Sequence, residues 1–120
     1  MTLQEIAPKV GMNLERTLAL FMGKEEMYTK YLKKYPANAN KLLEELRVAV
    51  ETMDYKGIEA SAHGLKGVSA NLGLQDIADI SADLVADVRS DSFDNEVIKQ
   101  HYQNCLAKCA IAMECIAMLP

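Results

Sequence analysis

The chain has 120 residues, half of them hydrophobic and a quarter charged, with a formal net charge of −4. That length buries one hydrophobic core, so residues 1–120 are expected to form a single unit. The acidic balance argues against nucleic acid, which calls for a basic face. No apolar run is long enough to span a membrane, and the first residues lack the basic start and apolar stretch of a signal peptide. With only six Gly and three Pro among abundant Ala, Leu, Glu, Lys and Met, an all-α fold is expected. Cys105, Cys109 and Cys115 all fall in the last predicted helix; reduced thiols and a cytoplasmic location are the simplest reading.

Punctuation divides the chain into helices. A short one carries Leu3 and Ile6 and stops at Pro8 and Gly11. Asn13 suits an N-cap for the next, with Leu14, Leu18 and Phe21 on one face and Gly23 as its stop. A long pattern follows from Lys24 to Met53, with Met27, Tyr31, Tyr35, Leu42, Leu46, Ala49 and Met53 as its stripe. Pro36 is expected to kink or interrupt it near Leu32, whose carbonyl the ring crowds.

Asp54 reads as the N-cap of a helix ending at Asn71–Leu72, with Gly73 as a left-handed cap. Another runs from about Gln75 to Arg89, broken by Ser90–Asp91–Ser92. In the last, Ile98, Tyr102, Cys105, Cys109, Ala112, Ile116 and Leu119 recur as a near-heptad stripe. The expected architecture is an antiparallel four-helix bundle with additional short N-terminal helices.

The stretch Ile58 to Gly73, IEASAHGLKGVSANLG, carries the chemistry. At roughly 100° per residue Ile58, Ala62, Leu65, Ser69 and Leu72 share one arc, which puts His63 on the solvent side. Around it Ala60, Gly64, Gly67 and Ala70 are all small, and Lys66 is three residues along. An interior Gly costs about 1 kcal/mol against Ala. Two beside one His point to access for another protein's active site, the competing reading being close helix packing. A solvated imidazole has a free lone pair near neutral pH and attacks phosphorus without a general base. Phosphoryl transfer asks mainly for in-line positioning and cations, and Lys66 supplies one.

Ala62-His63-Gly64-Leu65-Lys66-Gly67, followed by Ser69-Ala70-Asn71-Leu72-Gly73, resembles the signature of histidine-containing phosphotransfer (HPt) domains of two-component phosphorelays. The resemblance covers roughly residues 13 to 117. It implies that His63 accepts a phosphoryl group from a receiver-domain aspartyl phosphate and passes it to another receiver. Lys66 would stabilise charge and Gly67 would admit the receiver, with Ala60, Gly64 and Ala70 also at the partner surface. The partners implied are response-regulator receiver domains, those of a hybrid histidine kinase among them, with no nucleic acid and no membrane. A monomer is expected. The carrier has no cofactor of its own; Mg2+ is expected from the receiver. Several family members place a polar side chain, often Gln, opposite the His, whereas the position in register here is Val85. The alternative is a docking module that does not transfer.

Autokinase activity is not expected, since the chain has no Gly-rich nucleotide loop and no room for a kinase domain. A hydrolase is disfavoured because His63 has no acidic partner in evident register. Asp76, Asp79, Asp83 and Asp87 read as a solvated face rather than a metal or docking site, and Lys30, Lys33 and Lys34 as a soluble helix face rather than a steering patch. His101, Cys105 and Cys109 have a ligand-like spacing, but both cysteines fall in the core stripe and metal binding is not expected.

Overall fold

The computed structural model describes residues 1–90 and 94–120. Its described elements are all helical: α1 (Leu3–Ile6), a 3-10 turn (Ala7–Lys9), α2 (Leu14–Ala19), α3 (Glu25–Glu51), α4 (Tyr55–Ala70), α5 (Gln75–Arg89) and α6 (Asn95–Ala117). The last four pack antiparallel as a bundle, as cross-helix contacts show. Tyr35 on α3 meets Ser69 on α4, Arg89 on α5 meets Glu59 on α4, and His101 on α6 meets Asp87 on α5. The all-α bundle with short N-terminal helices is therefore the fold.

Capping follows the sequence closely. Asn13 accepts from the Arg16 N–H at 3.1 Å, and Asp54 accepts from the Gly57 N–H at 3.1 Å. Gly73 sits at φ +75°, and the Leu74 N–H reaches back to the Ser69 carbonyl at 2.9 Å, closing α4 as a left-handed glycine cap should. A Cβ at Gly73 would lie 2.3 Å from Thr17 Oγ1, so α2 is seated directly on the turn that ends α4. The α3–α4 turn uses Met53 at φ +49°, a left-handed residue with no glycine to announce it. Of the predicted break after Arg89, Ser90 is the C-cap of α5, while Asp91 and Ser92 lie outside the described residues.

Two expectations for α3 are revised. Pro36 does not interrupt the helix, which runs through it for 27 residues. Leu32, Tyr35 and Ala39, on both sides of the proline, are fully buried, and that packing outweighs the lost hydrogen bond, a penalty of about 3 kcal/mol. The buried stripe in the first half of α3 is Tyr28, Leu32 and Tyr35, not Met27 and Tyr31; Tyr31 is 49% exposed. Tyr28 wins the interior because its hydroxyl finds a partner there, donating to the Leu72 carbonyl at 2.6 Å. In α6 the predicted stripe is buried from Ile98 to Ile116, and Leu119 is partly buried against it.

Candidate functional site

Helix α4 has two faces with opposite character. Ile58, Ala62, Leu65 and Ser69 are fully buried, Ser61 is nearly so, and Leu72 is half-buried. On the outer side Ala60, His63, Lys66, Gly67 and Ala70 are all exposed. The inner face is held by more than apolar contact, since the Tyr35 hydroxyl and Ser69 Oγ are hydrogen-bonded at 2.7 Å. Burial pushes the Tyr28 and Tyr35 phenols well above the usual tyrosine range, so both remain neutral. Together these bonds fix the rotation of α4 about its axis and leave the imidazole in water.

The two glycines beside His63 differ. A Cβ built on Gly67 meets nothing within 4 Å, whereas one on Gly64 lies 3.0 Å from Leu42 Cδ2. Gly67 is open surface, and Gly64 is the point where α3 closes on α4. At Gly64 the competing reading of close helix packing therefore holds: the missing side chain makes room for Leu42, and the bare strip runs through Ala60, Gly67 and Ala70.

Lys66 lines a groove of about 440 Å³ along the α4–α5 seam with Ala82, Val85, Ala86 and Arg89. Val85 is buried, with 6% exposure, so α5 presents an apolar side chain where the register puts it opposite His63. Neither His63 nor Lys66 enters an ion pair among the described residues. Arg89 does, with Glu59, at 3.3 Å. Neither residue was singled out from the sequence. Antiparallel register arithmetic from the Val85–His63 level places 89 beside 59, and opposite charges at those positions were the available signal.

The remaining candidates separate cleanly. Asp79 and Asp83 are exposed, as a solvated face requires, but Asp76 is half-buried and Asp87 turns to α6, where it pairs with His101 Nδ1 at 2.5 Å. The acidic stripe is thus split at both ends. Cys105 and Cys109 lie side by side in the core, where the hydrogen bond with Cys105 and then burial raise the Cys109 thiol. No trio of potential metal ligands converges among the described residues. Lys30, Lys33 and Lys34 are exposed; Lys34 lies over the Tyr31 ring, 5.7 Å from its centre, and Lys33 donates to the Pro120 backbone oxygen. No described helix is long and apolar enough to cross a membrane.

A helical bundle presenting a lone imidazole and an ammonium on an otherwise bare helix face has the build of a phosphocarrier. The family model for the Hpt domain matches residues 30–109. The chain belongs to that family, whose members are phosphotransfer-type histidine carriers of two-component phosphorelays rather than catalytic enzymes. Comparison with curated proteins and with solved structures gives no match.

Proposed function

We propose that His63 is the phosphoryl acceptor, loaded from the aspartyl phosphate of one receiver domain and unloaded onto the aspartate of another. The observation that carries this reading is the outward-facing His63 beside Lys66 and the unobstructed Gly67, on a helix whose opposite face is locked into the core. In the forward step the imidazole lone pair attacks phosphorus. An N–P bond forms, the acyl P–O bond breaks, and the receiver's carboxylate leaves with the electron pair. The return step reverses these changes, and no water is consumed. The Lys66 ammonium offsets charge on the phosphoryl oxygens, and the receiver's Mg2+ supplies the remainder.

Ala60, Gly67 and Ala70 form the contact strip, since a receiver's active-site loops must come within bonding distance of the ring. Gly64 acts from beneath by letting α3 pack closely. The chain carries phosphate without autokinase activity, works as a monomer, and meets its receivers in the cytoplasm. A hybrid histidine kinase is one source of the incoming group.

The test is incubation with a receiver domain carrying labelled aspartyl phosphate. Acid-labile label is expected on the wild-type chain and none on His63→Gln. Val85 favours a second reading, in which an apolar residue opposite the ring marks a module that docks receivers without transfer. Receiver binding with no acid-labile label on the wild type would establish that reading and overturn the first.

A further inference from the structure

The bundle carries two arginine clusters on its surface, and they are built differently. Arg47 is gripped from both sides: Nε and Nη2 bond Glu44 at 2.9 and 2.6 Å, and Nη1 bonds both oxygens of Glu51 at 2.9 Å. Arg89 has one contact among the described residues, Nη2 to Glu59 Oε1 at 3.3 Å, with side chains 59% and 41% exposed. Four of the five guanidinium donors have no described partner. A single long contact between exposed groups holds a side chain weakly.

The weakly held arginine is the one whose partner, Glu59, shares α4 with the imidazole. Glu59 lies one helical turn before His63 on the outer side of α4, and Lys66 nearly one turn after it. Arg89, Lys66 and Val85 line the same groove. The seam flanking the His63 face of α4 therefore carries a buried apolar side chain and two cations, one of which is occupied by a neighbouring carboxylate.

We infer that Arg89 changes partners when His63 is phosphorylated, leaving Glu59 for the phosphoryl oxygens. Glu59 is then a positioning residue that parks the guanidinium while the ring is empty. The inference rests on the proposed phosphoryl acceptance by His63. Its driving force is charge and shape. A phosphoryl group offers up to two negative charges and three oxygens to a planar fork of donors, which pairs with it bidentately. Glu59 offers one charge through one oxygen and is exposed enough to return to water. The exchange also gives the loaded ring the polar partner that Val85 does not provide.

Phosphoramidate tests this without any receiver. The imidazole attacks its phosphorus, the P–N bond to the amine breaks, and ammonia leaves as the new N–P bond forms. Glu59→Gln is expected to raise the steady-state phospho-His63 level about threefold, and Arg89→Gln to lower it by about as much. Since removing Glu59 also removes a like charge, the double variant decides the cause: it should match Arg89→Gln alone. The Arg89 Nε–H resonance should move on loading of the wild type, and Arg89→Lys should restore part of the lost level.

An Arg89 resonance that stays in place, or a Glu59→Gln gain that persists fully without Arg89, overturns the exchange. So does equal loss from both single variants, the signature of a pair that merely ties α4 to α5. Label on His63 from phosphoramidate but from no phosphorylated receiver would sink the relay and leave the exchange standing. No label on His63 from either donor would remove both.

Discussion

The two faces of α4 obey opposite rules. Inward, every position from Ile58 to Ser69 is filled, and Tyr35 adds a directional bond to the packing. Outward, small residues surround the imidazole at Ala60, Gly67 and Ala70, with Lys66 as the exposed cation among them. A face that is crowded and bonded can hold an axis still, and only a still axis can offer a ring at a constant position to a second protein. Stability and access are assigned to opposite sides of one element, so damage to one should spare the other.

The sharpest way to break that division is His63→Gln. Transfer of label from a phosphorylated receiver should vanish while the thermal midpoint stays within the range of an ordinary surface change, about 0.5 kcal/mol. A large loss of stability would mean that the ring belongs to the core after all. Next in size is Leu65→Ala on the inner face, expected to cost about 2–5 kcal/mol in denaturant titration. A cost below that of a surface change would show the inner face to be loosely filled.

Tyr35→Phe should cost about 1 kcal/mol, the usual net value of one internal hydrogen bond. It also has a pH signature. Burial holds the Tyr28 and Tyr35 phenols above their ordinary range. Above pH of about 10 the unfolded chain therefore releases phenolic protons that the folded one retains. This contribution is full below that pH and declines as pH rises beyond it, so alkaline unfolding should be shallower in Tyr35→Phe. An unchanged slope would refute the assignment.

The smallest effect concerns the glycines. Gly67→Ala should stabilise by up to about 1 kcal/mol, since a methyl there meets nothing. Gly64→Ala should gain less, because Leu42 must yield to a Cβ 3.0 Å away. Equal gains would remove the distinction drawn between them.

What could be read from the residues follows the same division. One-sided periodicity placed the inner face of α4 and hence the outward His63, and Asp54 and Gly73 announced its ends. The pitch of the helices was also enough to put Val85 at the level of the ring. Features that depend on a neighbour were not legible. Met27/Tyr31 and Tyr28/Leu32 are equally apolar stripes, and the choice between them turned on the Leu72 carbonyl waiting for a hydroxyl. Pro36 looked like a break because the packing that overrides it lies on other helices. Gly64 and Gly67 are identical letters, and only Leu42 tells them apart. Asp87 was one of four similar carboxylates until α6 brought His101 to it.

One consequence of the tyrosine bonds reaches beyond stability. Both are made by neutral groups inside the bundle, to the Leu72 carbonyl and to Ser69, and added electrolyte leaves such bonds alone. Lys66 and Arg89 stand in water, where mobile ions dim their reach within about 10 Å at ordinary salt. Rising ionic strength should therefore slow the meeting of carrier and receiver long before it loosens the carrier itself, so that a cell's salt level sets the tempo of exchange while the scaffold stays indifferent.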